Sequence, residues 1–123
     1  EISCTIKGIK LITKGKVIII HQPHRYSRLN FLFEQFMNCF EECDYLFLMP
    51  VYSAGENKIK NINSYELSKN IKKCNSKFTD NSQEMFEEIR DIVRPGDSVA
   101  FLGAGSITKT AKSFVKYFSI KKI

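Results

Sequence analysis

The stretch KVIIIHQPHRYSR, Lys16 to Arg28, decides the fold, because its character changes at the midpoint. Val17-Ile18-Ile19-Ile20 is an unbroken β-branched run, without the alternation of a half-exposed strand. Such a run suits a strand buried on both faces of a parallel sheet. Pro23 stops it, since proline has no N–H to give to a sheet ladder. Ser27 offers an N-cap to the next element. Leu29, Leu32, Phe33, Phe36, Met37 and Phe40 then recur at i, i+3, i+4, i+7 spacing, as one face of a helix. An aromatic stripe at that spacing reads as core packing rather than as a cofactor box.

The alternation continues in both directions from this stretch. Ile2, Ile6, Ile9 and Ile12 stand near helical spacing, weakened by Gly8 and closed by Gly15. Tyr45 to Met49 reads as a second buried strand, stopped by Pro50. Asn63 with Glu66, and Asn81 with Glu84, form possible capping boxes for helices near 64–72 and 82–93, with a short strand near Lys77 to Thr79 between them. Arg94-Pro95-Gly96-Asp97 is a turn, Ser98 to Leu102 a strand, and Ile107, Ala111, Phe114, Val115 and Phe118 mark a last helix. Four strands alternating with five helices predict an α/β, Rossmann-like fold: a mainly parallel sheet of about four strands, wound by right-handed crossovers and covered by helices on both faces. No repeat, low-complexity tract or linker interrupts the pattern, so residues 1–123 read as a single domain.

Composition narrows the function classes. The 123 residues, 43% hydrophobic, can bury one core and not two. The chain opens on Glu1 rather than Met and is patterned from its first residues, which is expected of a piece of a longer polypeptide. No window approaches the roughly eighteen apolar residues of a membrane span, and no signal peptide is recognisable, so a soluble, intracellular protein without a membrane partner is expected. Cys4, Cys39, Cys43 and Cys74 form no C-x-x-C pair, and only His21 and His24 could add imidazole ligands, so reduced thiols, some filling the core, are favoured over a metal site. The net charge of +6 would suit a polyanion only if the cations clustered. They are scattered, apart from Lys72-Lys73 and a C-terminal set at Lys109, Lys112, Lys116, Lys121 and Lys122, which a solvated helix face explains without nucleic acid.

In such a sheet ligands bind beyond the carboxyl ends of the strands, near the switch point of the strand order, so function is sought after residues 21, 49 and 102. The first loop, His21 to Arg28, places Arg25 and Arg28 three apart at a helix start, where both guanidinium forks can face one side beside helix N–H groups. Paired forks hold a carboxylate or phosphate in a way lysine cannot reproduce. A surface turn with ordinary ion pairs stands as the alternative. The second loop, Val51-Tyr52-Ser53-Ala54-Gly55-Glu56, has a glycine able to take positive φ and an acid able to orient a neighbouring cation, or is simple turn chemistry. The third, Gly103-Ala104-Gly105-Ser106-Ile107-Thr108, is a strand-to-helix turn suited to a small anion. It matches neither nucleotide fingerprint. Thr108 stands where the dinucleotide motif has its third glycine, and Thr108-Lys109-Thr110 stands where a P-loop needs Gly-Lys-Ser/Thr. A stand-alone nucleotide-binding domain using residues 103–110 is the alternative function.

QPHRYSR (Gln22 to Arg28), VYSAGE (Val51 to Glu56) and GAGSI (Gly103 to Ile107), in this order, resemble the C-terminal domain of the Mur ligases, in particular their L-alanine-adding member. The resemblance covers essentially the whole chain. It implies a bacterial, cytoplasmic, ADP-forming ligase of peptidoglycan synthesis, and hence a part in cell shape and division. That family joins an amino acid to a UDP-muramyl carboxylate using ATP, and the resemblance implies that here ATP phosphorylates the carboxylate of UDP-N-acetylmuramate and the alanine amine attacks the acyl phosphate. The resemblance further implies that Arg25 and Arg28 hold the carboxylate of L-alanine, that His24 lines the same pocket, and that the backbone of Gly103, Ala104 and Gly105 approaches the substrate. Tyr52 and Glu56 are possible further site residues. ATP and magnesium would be held in a central domain and the UDP-sugar mainly in an N-terminal one. Alone, this chain is expected to bind no cofactor tightly and to be catalytically silent.

Overall fold

The computed structural model describes residues 1–121. Its elements are α1 (Ile2–Ile12), β1 (Val17–Gln22), α2 (Tyr26–Phe31), α3 (Phe33–Asn38), β2 (Tyr45–Leu48), α4 (Ser64–Asn70), β3 (Asn75–Phe78), α5 (Ser82–Ile92), β4 (Ser98–Gly103) and α6 (Ile107–Lys121). The four strands form one parallel sheet in the order β3-β2-β1-β4. The predicted α/β architecture is therefore present. Of the C-terminal lysines, Lys122 lies outside the described residues, and of Lys121 only the helical backbone is described.

The β-branched run explains the layering. Val17 and Ile19 join Leu46 and Leu48 on one face, packed with Ile6, Leu29, Phe36, Phe40 and Leu67 from the helices. Ile18 and Ile20 turn to the other face and join Phe47, Met85, Phe86, Ile89 and Ile107. Successive side chains of a strand alternate between faces, so an all-apolar run is what two covered faces require. Each isoleucine fully withdrawn from water stabilises the fold by roughly 1.5–3 kcal/mol.

Two local expectations are corrected. The aromatic stripe after Ser27 packs into the core as predicted, with Leu29, Phe36 and Phe40 buried and Leu32, Phe33 and Met37 partly so, but it runs over two short helices and the turn after them, because Leu32 leaves helical geometry at φ −110°, ψ 19°. The i to i+4 bonds of Leu32 to Arg28 and of Phe36 to Leu32 persist across the break, so the stripe bends without losing its face. Ser27 is not a cap. Arg25 occupies that position, and Ser27 lies inside the helix with its N–H and hydroxyl bonded to Glu56. Asn63 and Asn81 do cap α4 and α5, accepting the N–H of Glu66 and Glu84 through their side chains.

The strand order reverses between β1 and β4. After β1 the chain steps outward to β2 and β3, then returns to the other side of β1 to form β4. A crevice between the two oppositely directed connections follows from this order, at the carboxyl ends of β1 and β4.

Candidate functional site

The β1 and β4 ladders run to their ends together, with His21 opposite Leu102 and Gln22 opposite Gly103. Gly103 is required there. Its φ is +136°, and a Cβ on it would lie 2.7 Å from the Gln22 carbonyl oxygen. The missing side chain lets the two strand ends close on each other, so that β4 turns directly into α6.

Gln22, the last residue of β1, fixes that turn. It is buried. Its Oε1 accepts the Ile107 N–H at 2.9 Å, and the Ser106 hydroxyl lies 3.2 Å from Oε1 and 2.9 Å from Nε2. Nε2 also donates to the Pro50 carbonyl at 3.1 Å. One amide thus ties together the ends of β1 and β2 and the start of α6. The Ile107 N–H, which an anion at this helix start would otherwise meet, is already bonded.

A cavity of about 290 Å³ opens beside this junction. Its wall brings together four of the anticipated residues, His24, Arg28, Gly103 and Ala104, and adds His21, Gln22, Phe36 and Ile2. The volume is near the lower end of the roughly 300–1,000 Å³ of small-molecule sites. Arg28 is a solvent-exposed cation at an otherwise largely apolar and imidazole-lined wall.

Arg25 does not line this cavity. Three-residue spacing puts two side chains on one face only if both residues are helical, and Arg25, the cap, has φ 72° and ψ 136°. Its N–H donates to the Tyr52 carbonyl at 2.8 Å, and Tyr52 returns an N–H to the Pro23 carbonyl at 2.9 Å, so the first two loops are laced together beyond the strands. Glu56 completes the lacing: Oε1 accepts the Ser27 N–H at 3.0 Å and Oε2 the Ser27 hydroxyl at 2.6 Å. Those bonds, chiefly the one from the hydroxyl, with the charge of Arg25 adding to them, hold the Glu56 carboxyl below the usual range.

Tyr52 and Gly105 also stand outside the cavity, on a neighbouring depression with Ser106, Thr108, Lys109 and Lys112. They bear on it through contact. The ring of Tyr52 lies so close to Gly105 that a Cβ there would sit 2.5 Å from it, and the same ring stacks on His24 with centroids 5.5 Å apart and planes at 12°. Gly105, Tyr52 and His24 therefore form a stack that ends at the cavity wall.

Sequence reading passed over His21, Gln22, Phe36 and Ile2 as cavity residues. Phe36 and Ile2 belong to core stripes and carry no distinguishing signal. His21 and Gln22 did carry one: two polar residues prolong a strand whose preceding four residues are apolar and fully buried, which polar side chains do only with partners waiting. A second depression, of about 460 Å³, lies by the ends of β2 and β3 and includes Tyr26, Lys58, Lys60 and Tyr65. None of the anticipated residues lines it.

No family model matches the chain. Curated proteins do. A UDP-N-acetylmuramate--L-alanine ligase of Rhizobium johnstonii is 41% identical over 119 residues, which is 94% of this chain and 25% of that protein. The ligase of the same name from Agrobacterium fabrum is 40% identical over 114 residues, 90% of this chain and 24% of that protein. The chain thus spans about a quarter of the length of these relatives. Among solved structures, a domain from a protein assigned as UDP-N-acetylmuramate:L-alanyl-γ-D-glutamyl-meso-diaminopimelate ligase of Haemophilus ducreyi aligns over 94% of this chain and 80% of its own, with a TM-score of 0.64 at 14% identity. That likeness shows the fold, and the similarity to the L-alanine ligases extends over nearly the whole chain, well beyond the three loops that suggested it.

Proposed function

We propose that this chain is the C-terminal domain of a Mur ligase that joins L-alanine to UDP-N-acetylmuramate, and that it supplies the amino-acid side of an active site completed by other domains. The observation that carries this reading is the cavity at the strand-order reversal, where Arg28, His24, Gly103 and Ala104 meet on the edge of the sheet used for ligands by this fold.

The chemistry needs little more from this domain than position. ATP, with magnesium, supplies the phosphoryl group that activates the sugar carboxylate, and the residues that hold both belong to the domains outside this chain. The amine nitrogen of L-alanine then forms a bond to the activated carbonyl carbon and gives up a proton to solvent, the carbon–oxygen bond to phosphate breaks, and phosphate leaves with that electron pair. Arg28 holds the alanine carboxylate as a two-pronged donor, His24 and the Gly103-Ala104 backbone wall the side-chain end, and Arg25 closes on the same carboxylate as the domains come together. Fixing the amine beside the acyl phosphate turns a chance encounter into an oriented one, a large share of the acceleration in such reactions. Because domain closure assembles the site, the chain alone has no ligase activity and weak affinity for alanine. UDP-linked precursors and ATP place the enzyme in the bacterial cytoplasm, in peptidoglycan synthesis and through it in cell shape and division.

Steady-state kinetics of the full-length ligase carrying this domain are the test. Arg28→Ala raises the KM for L-alanine by on the order of tenfold or more, with the KM for ATP little changed, as loss of a carboxylate-binding fork predicts. Unchanged alanine kinetics in both Arg28→Ala and Arg25→Ala would overturn the assignment.

A further inference from the structure

His21 is the polar group that this reading leaves without a task. It follows Ile20 in β1, on the face shared by Val17 and Ile19, and is 4% exposed. The carbonyl oxygen of Leu102, its register partner on β4, lies 2.8 Å from Nδ1. A carbonyl only accepts, so Nδ1 carries the proton, and in the neutral ring Nε2 presents a lone pair. Nε2 is buried and has no hydrogen-bond partner among the described residues. The rings of Phe36 and Phe40 pack against it at centroid distances of 5.7 and 5.4 Å, tilted by 33° and 53°. The same side chain is part of the cavity wall.

A buried acceptor without a donor is unfavourable, and an apolar residue at the end of this apolar strand would avoid it. The orphan nitrogen belongs to a side chain of the cavity wall but has almost no accessible surface of its own, so a donor in the cavity reaches it through a shift of the wall on binding. An amino acid has two polar handles, and the wall offers Arg28 for the carboxylate. For the amine it offers no carboxylate, and the Gln22 amide is already committed to Ser106, Ile107 and Pro50.

We propose that His21 accepts, through Nε2, a hydrogen bond from the amine of the bound amino acid, orienting the nucleophilic nitrogen while Arg28 holds the carboxylate; this rests on the amino-acid reading of the cavity given above. A neutral acceptor suits a nucleophile better than an acid would. An aspartate or glutamate here would favour the ammonium form, whose lone pair is occupied, whereas imidazole can hold the free amine that attacks. Burial keeps the ring neutral, pushing its pKa down from 6.5 to about 4 against the opposing pull of the Leu102 carbonyl.

The test uses the full-length ligase with three substrates and one probe. His21→Phe keeps a ring against Phe36 and Phe40 and removes both nitrogens, and His21→Gln returns an acceptor near the Nε2 position. In His21→Phe the KM for L-alanine rises on the order of tenfold, as loss of a hydrogen bond to a reacting group predicts, while the KM values for ATP and UDP-N-acetylmuramate hold. His21→Gln recovers part of the loss. Propionate, which has the carboxylate but no amine, inhibits wild type and His21→Phe equally. An unchanged KM for L-alanine, or a parallel weakening of propionate, overturns the assignment; the latter means that the ring merely shapes the wall. His21→Asn, whose amide reaches Leu102 but not the Nε2 position, is read in the same way and keeps the test open where the phenylalanine variant does not fold. If the wild-type enzyme itself does not ligate L-alanine, the reading of the domain fails first and the role of His21 falls with it.

Discussion

Gln22 Oε1 accepts the backbone N–H of Ile107 at 2.9 Å, so a residue at the end of β1 caps a helix that begins 85 positions later. The same amide reaches Ser106 and Pro50. Three connections at the carboxyl edge of the sheet are thereby held by one side chain, and the start of α6 is positioned by β1 as much as by its own turn.

Gln22→Leu tests this. It keeps the volume and leaves the Ile107 N–H and the Pro50 carbonyl without that partner. Loss of a helix cap together with an unpaired buried group costs about 1–3 kcal/mol, read as a lower urea midpoint. Hydrogen exchange at the Ile107 amide accelerates more than at Ile19 in the sheet core. Equal acceleration at both positions would mean global loosening rather than release of the helix start.

The stack of Gly105, Tyr52 and His24 makes a second prediction. Gly105 has φ +92°, and an added Cβ meets the Tyr52 ring at 2.5 Å. Gly105→Ala therefore destabilises by roughly 1–3 kcal/mol, from backbone strain and collision together. Tyr52 is 40% exposed, so its ring can be removed at modest cost. In a Tyr52→Ala background the collision part of the penalty disappears and the strain part remains. A double-mutant cycle in unfolding free energy separates them, and strict additivity would show that the ring never pressed on the turn.

The sequence was readable where the signal was local. Val17 to Ile20 announced burial on both faces, and the residues divide between the two cores as a parallel sheet demands. Asn63 and Asn81 announced their helices through spacing to Glu66 and Glu84. What stayed hidden depended on pairing across the chain. Nothing near Gln22 reveals that Gly103 will lie opposite it, because that follows from β4 returning beside β1. The position of Arg25 relative to Arg28 depends on a local detail the spacing does not carry: the helix begins at Tyr26, one residue too late for the spacing rule to include Arg25.

Acid stability carries the signature of His21. Its folded pKa, depressed by burial to about 4, lies below the unfolded value of 6.5, so between these pH values the unfolded chain binds the extra proton. Stability from this group is complete above about pH 6.5 and falls as pH drops towards 4, by roughly 3 kcal/mol at most. His21→Phe abolishes that slope. Asp97 acts in a lower window. Bonded first of all to the Lys16 side chain, with the N–H groups of Lys16 and Arg94 adding to it, its carboxyl is held down at about 2, so its contribution is present above about pH 4 and lost between 4 and 2. Denaturant midpoints against pH in wild type and His21→Phe differ in the upper window and run parallel in the lower one. An identical upper slope in both would remove His21 as its source.

Arg25 combines a strained backbone with an anticipated functional side chain, and the two can be set against each other. At φ 72° and ψ 136° an L-residue is disfavoured by about 1–3 kcal/mol, whereas glycine accepts the geometry at a smaller cost in chain entropy. Arg25→Gly therefore stabilises the domain by about 0.5–2 kcal/mol, because the N–H bond to Tyr52 is unaffected and only the strain is released. If the arginine is kept for its guanidinium, the same variant raises the KM for L-alanine in the full-length enzyme. The rise is smaller than in Arg28→Ala, because Arg28 already lines the cavity and Arg25 reaches it only on closure. A thermal scan and alanine kinetics on one preparation decide the matter. Higher stability with unchanged KM would assign Arg25 to loop geometry alone, and lower stability would show that its side chain, beside Glu56, holds the loops together by more than the strain it stores.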